Sequence, residues 1–118
     1  MTISAISVYV PDLTLATEFY TKCLGFRVAQ SFDDYAVKLE GDGPSLLLCA
    51  GGSPSPARYP SGVVLGHRTA DVNARVAALQ KTPGVAILHD EPQPFPAGRY
   101  VAFTDPFGVS HELLEYAR

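Results

Sequence analysis

The feature that most restricts the fold of this chain is that it states one pattern twice. "ISAISVYV" (residues 3–10) alternates Ile6, Val8 and Val10 against Ala5, Ser7 and Tyr9, the period-2 signature of a strand. Asp12 then stands as a helix N-cap, with Leu13, Ala16, Phe19, Tyr20 and Leu24 at helical spacing and Gly25 as the stop. "FRVAQSF", "YAVKLE" and "SLLLCA" follow as short strands, with "GDGP" turning between the last two. The second half runs in the same order. "GVVLGHRTA" is a strand, Asp71 caps a helix through about Gln80, and "VAILHD", "RYVAFTD" and "VSHELLEY" are strands, the last two joined by the type I turn "DPFG". Gly25 lies 13 residues after Asp12 and Gly84 lies 13 after Asp71; Val28 and Ile87 each lie 16 after their aspartate. Any two βα units share some of this, but matched order and matched spacing together indicate an internal duplication.

The fold class expected is therefore α+β, with two tandem βαβββ modules. Module one spans 1–50 and module two 63–118. The Gly-, Ser- and Pro-rich stretch 51–62, with Tyr59 at its tip, is a surface linker. At 118 residues and 47% hydrophobic content the two modules fit a single domain with an adequate core. Cys23 and Cys49 both lie in apolar runs, which suits buried, reduced, inert thiols and a cytoplasmic setting. "MTISAISVYVPDL" has no basic leader region, and no apolar run approaches the roughly 18 residues of a membrane span. A net charge of −3 without clustered Lys or Arg argues against nucleic acid as a partner. A small-molecule ligand is the class that remains.

Two segments carry a resemblance: "ISVYVPDLTLATEFYTKCLGFRV" (residues 6–28) and "PAGRYVAFTDPFGVSHELLEY" (residues 96–116). They are similar to the opening and closing motifs of the vicinal oxygen chelate superfamily, which includes glyoxalase I, extradiol dioxygenases and bleomycin-resistance proteins. The resemblance implies modules curled into a mixed sheet around a concave cavity, and a homodimer sharing that cavity.

In metal-dependent members of that superfamily each module supplies two ligands, one seven residues before the capping aspartate and one on its last strand. Carried onto this chain, those positions are Ala5 and Leu47 in module one and Val64 and Glu112 in module two. Divalent ions in such sites want imidazole and carboxylate donors. One carboxylate among three aliphatic side chains does not supply them, so no cofactor is expected. The histidines are the natural objection. His67 lies three residues after Val64, so alternation turns it to the opposite face; His111, beside Glu112, also points away; His89 sits by a loop. Each reads as a satisfied structural histidine, and His67 is the fallback ligand should the register slip.

If the four positions line the cavity, strand alternation adds Ser7, Tyr9, Gly66, Arg68, Ser110 and Leu114. With Phe103 on the core side, Tyr100, Ala102 and Thr104 face inward as well. The binding residues expected are Ser7, Tyr9, Leu47, Val64, Arg68, Tyr100 and Glu112: apolar walls with a few orienting polar groups. Two readings of Glu112 stand side by side, a structural pair with Arg68 or a carboxylate that recognises a ligand. "HDEPQPFPAGRY" (residues 89–100) is either a lid or a stiff connection. There is no nucleophile elbow, phosphate-binding glycine loop or paired-cysteine zinc spacing.

The expected function is a metal-free binding protein, resembling bleomycin-resistance members, that sequesters a small, partly aromatic compound. The alternative is a divalent-metal-dependent lyase or dioxygenase with displaced ligands, drawing on His67, His111 and Glu112. A metal-free acid–base enzyme using Glu112 and Tyr100 is its variant.

Overall fold

A computed structural model describes residues 2–50 and 62–117. The linker 51–62, apart from Gly62, and with it Tyr59, lies outside the described residues. The chain divides into two compact units, Ala5–Val63, and Val64–Arg118 together with Met1–Ser4. The expected α+β class, with two βαβββ-type modules, is what the structure has.

The first module comprises β1 (Thr2–Val10), α1 (Leu13–Lys22), β2 (Arg27–Phe32), β3 (Ala36–Glu40) and β4 (Leu46–Ala50). Its sheet is mixed: β1 runs parallel to β4, while β2–β3 and β3–β4 are antiparallel. Asp12 caps α1 as expected, its carboxylate accepting from the Leu15 N–H at 2.9 Å. Leu13, Ala16 and Tyr20 turn inward onto Val37, Leu39 and Leu48. Phe19 and Leu24, expected with them, are each 53% exposed. At 100° per residue Phe19 falls well off the stripe of 13, 16 and 20, and shares the outer side with exposed Leu15. Leu24 lies beyond the helix, which stops at Lys22 with Cys23 as its C-cap. For the same reason Cys23 is exposed rather than buried, and only Cys49 is the inert core thiol expected. Gly25 stands past the cap with φ +80°, where the chain turns back toward β2.

The second module comprises β5 (Val63–Arg68), α2 (Val72–Gln80), β6 (Ala86–Ile87), β7 (Gln93–Phe95), β8 (Gly98–Thr104) and β9 (Ser110–Tyr116). β5 runs parallel to β9, and β8 is antiparallel to β9, β6 and β7. Asp71 caps α2 by accepting from Ala74 N–H at 3.0 Å. Val72, Val101, Phe103 and Leu113 are the buried core, with Val76, Leu79, Val85 and Ile87 packed on it. The pattern in "VAILHD" overstates its strand, which pairs over only two residues. β7, unforeseen, ties 93–95 of the proline-rich segment to β8, so that stretch is a connection held at a sheet edge. Pro94 is tolerated there because an edge position needs no donor.

Between β8 and β9 the "DPFG" turn closes as predicted. Gly108 N–H donates to the Asp105 carbonyl at 3.0 Å, and Asp105 Oδ1 accepts from Phe107 N–H and Val109 N–H at 2.9 and 3.0 Å. No described helix is long and apolar enough to cross a membrane.

Candidate functional site

Alternation along β9 separates two kinds of chemistry. Leu113 packs in the α2 core, so His111 and Glu115 share its face. Ser110, Glu112, Leu114 and Tyr116 occupy the other. On that second face Glu112 pairs with Gly66 of β5 and with Ala102 of β8, the smallest side chains available on either side. The next layer holds Arg68 and Tyr100, both in register with Leu114. Val64, Ala102 and Ser110 are fully buried, and Glu112 is only 4% exposed. Ser110 Oγ is buried without a hydrogen-bond partner among the described residues. An unmatched hydroxyl of this kind costs about 1–3 kcal/mol unless something supplies a partner.

Arg68 is exposed, and its guanidinium lies over the Tyr116 ring, 4.8 Å from the centroid. Tyr116 also packs edge-on to Phe95, and Phe95 edge-on to Tyr100. His89 meets Tyr100 at 5.3 Å, and its Nδ1 accepts from the Ala102 N–H at 3.0 Å. This ring cluster at the β7–β8 hairpin was missed by strand alternation alone, because β7 itself was missed. Phe95 in "PQPFP" was its only sequence signal.

In the first module, Ser7 pairs with Leu47 and Tyr9 with Cys49 across β1 and β4. Ala5, Ser7, Tyr9 and Leu47 therefore share the face opposite α1. The match between modules is independent of side-chain identity. Ser7 stands five residues before Asp12 and pairs with Leu47; Gly66 stands five before Asp71 and pairs with Glu112. Leu47 and Glu112 are thus equivalent positions, as the sequence repeat implied. The seven expected binding residues fall on these two faces, Ser7, Tyr9 and Leu47 in module one, and Val64, Arg68, Tyr100 and Glu112 in module two.

The histidines do not join Glu112. His67 pairs with Leu113 in register and so lies on the α2 face. There its Nε2 is 2.8 Å from His111 Nδ1, and His111 Nε2 is 3.0 Å from Asp105 Oδ2. The His111 ring stacks on Phe103 with centroids 5.0 Å apart. The hydrogen bond from His111 holds the Asp105 carboxyl below the usual carboxylate range, with the backbone donors of the turn assisting. Burial, then repulsion from His111, pushes His67 below the ordinary imidazole value. The displaced-ligand arrangement of His67, His111 and Glu112, and the fallback role of His67 beside Glu112, do not fit this geometry. The sequence reading kept the two histidines apart as separate structural residues; the parallel β5–β9 pairing is what brings them together. Glu115 on the same face accepts from Val72 N–H at 2.8 Å and from Arg99 Nε at 2.8 Å, which fastens the start of α2 to the sheet.

Of the residues at the four inferred positions, Ala5 and Leu47 in the first module and Val64 in the second are aliphatic, and only Glu112 carries a donor group. That donor set does not fit a chelated metal. Among the described residues no three His, Cys, Asp or Glu side chains are grouped to hold one.

Comparison with known proteins places this geometry. No curated protein matches the sequence. Among solved structures, a variant of Streptomyces coelicolor methylmalonyl-CoA epimerase in complex with 2-nitronate-propionyl-CoA is 27% identical, with TM-score 0.68, covering 98% of this chain and 97% of that one. A Vibrio splendidus glyoxalase/bleomycin resistance protein/dioxygenase superfamily member is 19% identical, with TM-score 0.65 over 95% and 97% of the two chains. A Bacillus halodurans hypothetical protein reaches TM-score 0.72 at 17% identity over 99% and 95%. The family model matches residues 2–113, nearly the whole duplicated pattern, and the chain belongs to the Glyoxalase/Bleomycin resistance protein/Dioxygenase superfamily.

Proposed function

We propose that this protein binds a small, partly aromatic compound without a metal and sequesters it. The observation that carries this reading is Glu112: a buried carboxylate between Gly66 and Ala102, on the same face as the unmatched Ser110 hydroxyl. A ligand with a hydroxyl group would supply the partner that Ser110 Oγ lacks, and the Tyr100–Phe95–Tyr116 rings with Arg68 favour an aromatic portion beside it. Ser7, Tyr9 and Leu47, on the face of module one opposite α1, are binding residues on the same reading. The protein acts as a homodimer in the cytoplasm on this reading, and exposed Leu15 and Phe19 on α1 supply apolar surface that association would cover.

A second reading is favoured by the 27% identity to an epimerase that takes a CoA thioester. Epimerisation requires a proton to be removed from one carbon and returned to its other side, so two proton-transfer groups must flank the substrate. Here Glu112 and Tyr100 are the titratable pair nearest that description.

Elemental analysis of protein purified without chelator separates the cases. Less than about a tenth of an equivalent of Mn, Fe, Ni or Zn is expected, including after soaking with each salt, and Glu112→Ala leaves that figure unchanged. A screen of aromatic hydroxyl and amine compounds should then yield one that raises the melting temperature of the native protein and not of Glu112→Ala. Near-stoichiometric metal, or deuterium uptake into methylmalonyl-CoA in heavy water, would replace sequestration with enzymatic turnover.

A further inference from the structure

The face of module two that carries Glu112 changes from closed to open in the same direction on β5, β8 and β9. On β9 it runs from fully buried Ser110, through Glu112 and Leu114, to half-buried Tyr116. On β5 it runs from buried Val64 and Gly66 to exposed Arg68, and on β8 from buried Ala102 to half-buried Tyr100. The strand pairings bring these open ends together, since Arg68 and Tyr100 are both in register with Leu114. The closed end thus holds a carboxylate and the open end a guanidinium.

Accessible side chains form an aromatic wall at the open end. The Tyr116 hydroxyl is anchored 3.0 Å from Ser4 Oγ, its ring meets Phe95 at 5.8 Å, and Phe95 meets Tyr100 at 6.0 Å. The Arg68 guanidinium lies over the Tyr116 ring, 4.8 Å from the centroid. Arg99, the other arginine on the strands of this module, is paired with Glu115 on the opposite face. Among the described residues no carboxylate is paired with Arg68. A guanidinium placed by its ring contact keeps a planar fork of N–H donors for an oxyanion.

We propose that the ligand of this face is an aromatic anion whose carboxylate or phosphate is held by Arg68 at the open end, with its ring along Tyr116, Phe95 and Tyr100. The proposal rests on the reading in which Ser110 and Glu112 take a hydroxyl of the same molecule. Charge fixes the direction in which such a molecule lies. At the closed end an anion would lose its hydration and face the Glu112 carboxylate; at Arg68 it keeps solvent on one side and gains a cation. Strand rise puts Glu112 about 7 Å from the layer of Leu114 and Arg68, and Tyr116 about 7 Å beyond that. A single phenol is too short to reach both ends, whereas an aromatic acid with its hydroxyl and its anionic group at opposite ends is long enough.

The test titrates 4-hydroxycinnamate and its methyl ester, which differ in charge but little in shape, into the full chain labelled with nitrogen-15 arginine. The acid should bind at least about tenfold tighter than the ester, the worth of one charge-assisted hydrogen bond, and should shift the Arg68 Nε resonance more than that of any other arginine. Arg68→Met keeps an apolar stem over Tyr116 and removes the donor fork, so the ratio of acid to ester affinity should fall to about one. Arg75→Met removes the same charge from the exposed side of α2 and should leave that ratio in place. A phosphate counterpart, 4-hydroxyphenethyl phosphate, identifies the source of the anion: Arg68-dependent binding tighter than that of the acid assigns the site to phosphates, and weaker binding assigns it to carboxylates. Equal affinity for acid and ester overturns the proposal and leaves a neutral ligand on the Glu112 face. A ratio that survives Arg68→Met also overturns it, by placing the anion elsewhere. So does failure of both compounds to bind, in which case the screen of hydroxyl and amine compounds decides the wider reading alone.

Discussion

Replacing Gly98 by valine should lower the stability of the protein by about 3 kcal/mol or more, a larger effect than most core truncations. A Cβ at this position would stand 2.1 Å from the Glu115 carbonyl oxygen, 2.9 Å from Tyr116 Cα and 3.0 Å from Ala117 N. All three are backbone atoms of the facing strand end, which cannot rotate aside as a side chain can. Gly98 pairs in register with Tyr116, and Ala117 N–H donates to the Ala97 carbonyl at 2.7 Å. Relief therefore requires β8 and β9 to separate where they carry the Tyr116 and Phe95 rings. Gly43 is the control, with nothing within 4 Å of its would-be Cβ. Gly43→Ala should leave the melting temperature nearly unchanged, while Gly98→Val should depress it by about 10 °C or more, or prevent folding. Equal melting temperatures for the two variants would mean that the strands do not approach this closely.

How much of this was legible beforehand depended on whether a property is local. Both helix caps, the "DPFG" turn and the alternation of β1, β5, β8 and β9 are consequences of neighbouring residues, and the structure reproduces them. The equivalence of Leu47 and Glu112 was legible for another reason: a duplicated sequence carries its own alignment, and the register confirms it. The failures involve contacts between distant segments. Phe19 fits a helical spacing and yet faces out, because spacing defines a stripe but not which side of it the sheet will cover. β7 escaped notice because three prolines in "PQPFP" argue against a strand, and its pairing with β8 needs only one exposed edge. His67 and His111 read separately as satisfied histidines. What satisfies them is each other, across a parallel pairing 44 residues apart in sequence.

The two faces of β9 should respond to mutation in opposite ways, and adjacent residues allow the comparison. Leu113 is fully buried against Val72, Val101 and Phe103, so Leu113→Ala removes a large side chain from a packed core. The expected cost is about 3 kcal/mol, within the range for leucine truncations that leave an incompletely collapsed cavity. Chemical denaturation should show a lower midpoint with an unchanged slope, since the surface exposed on unfolding barely alters. Ligand affinity of the folded fraction should persist, because Leu113 points away from the Glu112 face. Glu112→Ala should do the reverse. It removes a group whose burial costs hydration, so its effect on stability is smaller, but a ligand held by the carboxylate loses a charge-assisted hydrogen bond worth about 1.5–3 kcal/mol, or roughly ten- to a hundredfold in affinity. If both variants lost stability and affinity in parallel, Glu112 would be a structural carboxylate, and the binding role would have to move to the Tyr100–Phe95–Tyr116 cluster. If they separate, one strand holds the module together with its odd-numbered side chains and recognises the ligand with its even-numbered ones.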